Sequence, residues 1–179
     1  MQLRNNLEMN STPDKASIKT TTRHRLSFAK LSRNVIIVSI LTLIGLFGLS
    51  MTSKRPTNLG VNDGRLATCP ETPNCVSTQA TDPEKKIDPM PFYGPPSETI
   101  SKIKETVALN WPRASLITET KHYLHYEFKS LIFRFIDDVE FFIDDKSSVV
   151  QFRSASRVGH SDLGINRKRM NQIVESLKP

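Results

Sequence analysis

Between Asn34 and Ser53 the chain carries no charged side chain, and Val35–Met51 reads Val-Ile-Ile-Val-Ser-Ile-Leu-Thr-Leu-Ile-Gly-Leu-Phe-Gly-Leu-Ser-Met. An apolar run of about 17–20 residues is long enough to cross the roughly 30 Å hydrocarbon layer as one helix. A helix packed into a soluble core would carry a polar stripe at helical spacing, which this run lacks. The expectation is one N-terminal transmembrane helix over residues 34–53.

The flanks orient it. Arg4, Lys15, Lys19, Arg23, Arg25, Lys30 and Arg33 precede the run against only Glu8 and Asp14, whereas Lys54 and Arg55 alone follow closely. The positive-inside bias keeps such an N-terminus cytoplasmic and exports the rest. A cleaved signal peptide is the competing reading, but Gly48-Leu49-Ser50 matches an A-x-A-like site only weakly. With no cysteine just after the run, lipid attachment there is ruled out. The chain is therefore expected to be a single-pass protein of the inner (cytoplasmic) membrane, with a signal anchor and a periplasmic or otherwise exported domain over 54–179. Its formal charge of +7 must be divided accordingly. Residues 54–179 hold 18 Lys and Arg against 16 Asp and Glu. Most of the excess thus lies in the tail, where cations suit an anionic inner leaflet. No nucleic-acid partner is expected.

Residues 1–33 are polar, rich in Ser and Thr and poor in large apolar groups, the composition of a disordered cytoplasmic tail. Residues 54–97 hold eight of the eleven prolines. Proline fixes φ and removes a donor, so this segment should be extended loop and turn wrapping the domain rather than helix or sheet. The core, residues 98–179, opens with a helix capped by Ser97 and ending before Trp111-Pro112. Ser115–Thr120, Tyr123–Lys129, Leu131–Ile143 and Ser148–Ser156 read as strands. A last helix from about Leu163 to Leu177 carries Leu163, Met170, Val174 and Leu177 on one face. This order gives an α+β fold, an antiparallel sheet of about four strands with helices on one face.

Cys69 and Cys75 bracket Pro-Glu-Thr-Pro-Asn. In an exported domain a disulfide is the favoured state, with free structural thiols or a reactive pair as the alternatives. Five intervening residues is not the redox spacing, and no second ligand pair stands nearby. Neither a metal nor a cofactor is expected.

On the odd positions of the long strand, Asp137 falls among Phe133, Phe135, Val139, Phe141 and Ile143, while Asp138 and Glu140 take the other parity. A lone carboxylate on an apolar face is costly unless paired. Either a bulge at Asp137-Asp138 turns it outward, or it meets a cation such as Arg153 or Arg157. A structural ion pair is favoured over a catalytic acid.

The densest polar stretch is Arg153–Arg169, with Ser154, Ser156, Arg157, Asp162, Asn166 and Arg167 among its members. Ser161 or Asp162 can cap the last helix. Arg167, Lys168 and Arg169 stand in its first turns, where the helix dipole disfavours cations. Asp137, Asp138 and Glu140, or a bound anion, would offset them. His160-Ser161-Asp162 is no hydrolytic triad, because adjacent residues cannot align nucleophile, base and orienter, and the elbow's final glycine is missing at Leu163. His160 reads as a turn residue, with no neighbouring histidine to complete a metal site.

Four separated motifs, Leu59–Leu66, Cys69-Pro70 with Pro73–Ser77, Phe135–Glu140, and Arg153–Gly159 through Arg169, resemble a widespread bacterial and plastid family catalogued as domain of unknown function 1499. The likeness spans roughly residues 58–177. It implies one compact domain, often membrane-anchored or exported, and transfers no activity. The family pattern leads to Tyr at position 160, where this chain has His160, so an essential imidazole there is not implied.

The favoured function is a non-enzymatic binding or assembly module, held to the membrane through residues 34–53, for a protein partner or an anionic ligand. The alternative is an enzyme using Asp137 or Asp138 as acid/base beside Arg153 and Arg157. A third possibility is that these polar residues form an internal network that only fixes the fold.

Overall fold

Three adjacent strands that alternate apolar and polar side chains build the centre of the protein. The computed structural model describes residues 32–48, 50 and 53–178. Its elements run in the order helix α1 (residues 32–48), strands β1 (Cys75–Ser77) and β2 (Met90–Pro91), helix α2 (Pro96–Asn110), strands β3 (Ala114–Thr120), β4 (Tyr123–Lys129), β5 (Ile136–Asp144) and β6 (Val149–Ser156), and helix α3 (Ile165–Ser176). Contacts divide the chain into two units, Met1–Gly45 and Leu46–Pro179, and all six strands lie in the second. Residues 1–31 of the tail expected to be disordered lie outside the described residues.

Helix α1 is apolar all round: Val35, Ile36, Ile37 and Val38 point to successive quadrants and are each about half exposed or more. Within its apolar stretch Ser39 and Thr42 turn their hydroxyls inward, donating to the carbonyls of Val35 and Val38 at 2.9 Å. Among the described residues no helix is long and apolar enough to cross a membrane. The expected span runs on through residues 49, 51 and 52, which lie outside the described ones.

The sheet is antiparallel, in the order β1-β6-β5-β4-β3, with β2 pairing further along the β1 edge of β6. One face carries Leu124, Tyr126, Phe128, Val139, Phe141, Ile143, Val150 and Phe152, all buried. Against it pack Ile100, Ile103 and Val107 of α2 with Met170 and Ile173 of α3. At roughly 1.5–3 kcal/mol per fully buried large apolar side chain, this layer is the main source of stability.

The α+β class and the one-sided helices are as expected, but the sheet has six strands rather than four. The additional two, β1 and β2, come from the Pro-rich segment 54–97, which was expected to hold no sheet. Proline is tolerated there because both are short edge strands, and Pro91 ends β2. The long strand expected over 131–143 begins only at Ile136. Residues 130–135 form a hairpin loop closed by the Phe135 N–H on the Ser130 hydroxyl and the Ser130 N–H on the Phe135 carbonyl, both 2.9 Å. Arg134 takes a left-handed φ of 55° within it. No bulge interrupts Asp137-Asp138, which pair in continuous register with Phe128 and Glu127. The register shift falls instead in β3, between Leu116 and Thr118.

Helix α2 starts at Pro96, with Pro95 at its N-cap and no side-chain cap, so Ser97 is its second residue and not its cap. A proline at the first helical position already has helical φ. Helix α3 starts at Ile165, because Leu163 and Gly164 are left-handed at φ 55° and 77°. Leu163 therefore leaves the apolar face and is exposed, and Ile173 takes a core place that was not assigned to it.

Candidate functional site

Strand alternation distributes the strand acids and arginines over two faces, so they form two networks rather than one. On the helix-covered face, Asp137 stands beside Ser156 in the β5–β6 register, and α3 passes over this end. Arg169 donates to Asp137 Oδ2 at 2.6 Å, to Asn166 Oδ1 at 2.8 Å and to the Ser154 hydroxyl at 3.1 Å, with its guanidinium 4.7 Å above the Phe128 ring. Ser156 donates to Asp137 Oδ1 at 2.6 Å. Asn166, fully buried, accepts from Ser154 at 2.5 Å and donates to the Asn74 carbonyl and the Ser156 hydroxyl, both at 3.0 Å. The cation required by Asp137 is thus Arg169, and neither Arg153 nor Arg157, because those two occupy the opposite side of β6.

The opposite face holds the second network. The register aligns His125 with Glu140, Glu127 with Asp138, and Glu140 with Arg153. Arg157 grips Asp138 with Nε and Nη2 at 2.8 and 2.7 Å, and Nη2 also reaches Glu127 at 2.5 Å. Nε2 of His125 lies 2.8 Å from Asp138 Oδ1. Glu140, completely buried, accepts from Arg153 at 3.1 Å, from the Tyr123 hydroxyl at 2.8 Å and from the Gly60 N–H at 2.8 Å. Arg55 closes over Glu127 at 2.7 Å. The segment from Arg55 to Gly60 therefore straps this face, and the polar side of the sheet is an interior, not a solvated surface.

Electrostatics follow from that enclosure. Burial opposes the ionisation of Asp138, but hydrogen bonds from Arg157 and His125 outweigh it and hold the carboxyl below the usual range. Glu127 behaves likewise, burial being outweighed by Arg157 and Arg55. Burial, reinforced by the adjacent Glu140, pushes the Tyr123 hydroxyl far up. Arg157 is raised by its hydrogen bond to Asp138, so it stays charged. The acids and arginines therefore neutralise one another inside the fold.

Of the helix-start cations, Arg167 reaches the Pro-rich segment, donating to the carbonyls of Lys86 and Glu84 at 2.8 and 2.7 Å. The negative group at this helix start is Asp162, which accepts the Asn166 and Gly164 N–H groups at 2.7 and 3.1 Å. An open hollow beside α3 is lined by Gly164, Arg167, Lys168, Asn171, Gln172 and Glu175, and both terminal guanidinium nitrogens of its arginine already donate to carbonyls. His160 sits in an exposed bend. Cys69 and Cys75 are joined as a disulfide. Among the described residues no group of three or more His, Cys, Asp and Glu is placed to hold a metal ion.

Tyr123, His125, Glu127, Arg55, Gly60 and Asn74 were absent from the residues expected at the site. For the first three a signal existed: they alternate with Leu124, Tyr126 and Phe128 just as Asp138 and Glu140 alternate with Val139 and Phe141. Polar residues of both signs on the same parity of three neighbouring strands mark a covered polar face. For Arg55, Gly60 and Asn74 the sequence holds no such pattern.

A family model described as "Protein of unknown function (DUF1499)" matches residues 65–177. Neither a search of curated proteins nor one of solved structures finds a match.

Proposed function

This chain belongs to the DUF1499 family, whose members are described as proteins of unknown function, and from that premise we propose that it is a membrane-anchored, exported assembly module rather than an enzyme. The observation that carries this reading is saturation. Asp137, Asp138 and Glu140 each meet an arginine inside the fold, Arg169, Arg157 and Arg153 respectively. A general acid or base must reach a substrate proton, and these carboxylates are enclosed by the helices on one face and by the 55–60 strap on the other. A protein partner is favoured over an anionic ligand at the α3 start, where Arg167 and Arg169 are held by internal acceptors.

Anchoring rests on α1, apolar all round from Val35 onward and with the Ser39 and Thr42 hydroxyls bonded within the helix, as a lipid environment requires. The charge-free run continues to Ser53, and the excess of cations before it supports a cytoplasmic N-terminus and an inner-membrane location. A disulfide in the following domain suits an oxidising compartment.

Two measurements test the reading. Alkaline carbonate should leave the full chain in the membrane pellet, with residues 54–179 open to protease only from the exported side; release into the supernatant would sink the anchor. In cells lacking the protein, an Asp138→Asn chain that accumulates in folded form should restore function in proportion to its abundance. A folded, abundant Asp138→Asn chain with no activity would transfer the case to the rival reading, acid–base chemistry by Asp137 or Asp138 beside Arg153 or Arg157.

A further inference from the structure

The β4–β5 hairpin loop carries two neighbouring aliphatic side chains that stand out into solvent. Leu131 and Ile132 stand 70% and 71% exposed at its tip, backed by the half-buried rings of Phe133 and Phe135 with centroids 5.5 Å apart. Leu163 is 91% exposed in the turn before α3. Asp137 pairs with both Phe128 and Ser156, which puts this loop and the turn after β6 at one end of the sheet. Single exposed aliphatic side chains need no explanation. Two adjacent ones on a ring-stiffened loop, with a third at the same end, do.

The surroundings choose the occupant. Ala114 pairs with Phe128 and Lys129 with Ile136, so Arg113, Lys129 and Arg134 belong to this end, while the strand-end acids Glu127, Asp137 and Asp138 are consumed by internal arginines. Arg55 fixes the incoming chain on Glu127 at this end too. Seven residues link it to residue 48, where the description of α1 stops, a reach of at most about 25 Å at 3.3–3.6 Å per residue. On the anchoring proposed above, a link of this length allows this end of the sheet to reach the bilayer surface. Apolar tips ringed by cations are the composition that partitions into the headgroup boundary of an anionic membrane.

We propose that Leu131 and Ile132, with Leu163 beside them, dock the domain on the exported leaflet of the bilayer that holds its anchor, Arg113, Lys129 and Arg134 meeting anionic headgroups. This rests on the anchoring stated above, and the test separates the two. The full chain carrying Ile132→Trp is reconstituted in phosphatidylcholine vesicles containing bromine-labelled lipid, with and without phosphatidylglycerol. Lys121→Trp, in the exposed turn at the opposite end of the sheet, is the control. The unsubstituted chain gives the background from Trp111. The indole introduced at 132 should be quenched and blue-shifted, more so with phosphatidylglycerol, and the one at 121 should add only unquenched emission. Flotation of the chain with position 132 quenched no more than position 121 overturns the docking and leaves the anchor standing; a tip kept for a protein partner would give this result. A chain that neither floats nor is quenched overturns both.

Discussion

Asn166 shows most economically what the polar residues do. It uses its carbonyl oxygen for Ser154 and Arg169 and its amide for Asn74 and Ser156, without solvent contact. Its side chain ties α3, β6 and the segment entering β1 together at one point. Leaving even one buried polar group unpaired costs about 1–3 kcal/mol, and Asn166→Ala unpairs several. The variant should lose at least about 2 kcal/mol in urea unfolding while keeping its secondary structure by circular dichroism. A loss below about 0.5 kcal/mol, the scatter of ordinary surface substitutions, would mean that the cluster is slack. Asp137 illustrates how far the sequence could lead at this scale. Its place on an apolar parity demanded a cation, and it has one. Which arginine supplied it depended on the side of β6 each arginine faces and on where α3 crosses, and neither is written in local spacing.

At the scale of elements, the segment between the anchor and α2 does more than its prolines advertise. It contributes β1 and β2, closes the edge of β6, and straps the polar face through Arg55 and Gly60. The Cys69–Cys75 disulfide joins the stretch that follows this strap to β1. For so short a loop the chain-entropy contribution is about 2 kcal/mol. Replacing both cysteines with alanine should remove about that much and raise amide exchange in residues 59–69 first, leaving β4, β5 and β6 protected. Exchange rising equally everywhere would show that the strap is not a separable element. The helices and the four longer strands were legible because their periodicity is local. The short strands were not, since two or three residues carry no period and form only because β6 offers a free edge. The expected strand over 131–143 failed for a related reason. Apolar alternation runs unbroken through Phe133 and Phe135, yet β4 ends at Lys129 and leaves nothing to pair with residues 131–135.

On the scale of the whole molecule, a sheet with an apolar layer on one side and a strapped ionic layer on the other should respond to pH at both extremes. Glu127 and Asp138 titrate lower in the folded chain than their unfolded values of about 4.3 and 3.9. Their contribution is therefore complete above those values and is lost as pH falls through the folded ones, so the melting temperature should drop below about pH 4. Burial and Glu119 push Tyr126 up to about 12, and Tyr123 lies higher still. A group whose folded value is raised stabilises below its unfolded value, near 10, and loses that contribution as pH climbs through the folded one, so a second decline should begin near pH 10. Between these limits melting should be nearly flat as far as these four groups are concerned. A steep slope between pH 5 and 8 would point to a titrating group other than these four.

The claim on which all of this depends is that the arginines and carboxylates lock the sheet by satisfying one another. Arg157 bears most on it, its side chain 5% exposed and shared between Asp138 and Glu127. Removing one partner of a buried pair strands the other charge, at about 3–5 kcal/mol. Urea unfolding of Arg157→Met against the unsubstituted chain at neutral pH is therefore the most direct measurement. A cooperative transition displaced by a loss of that size is the predicted result. An unchanged midpoint would show that Arg157 is not part of a lock and that its carboxylates are free to act.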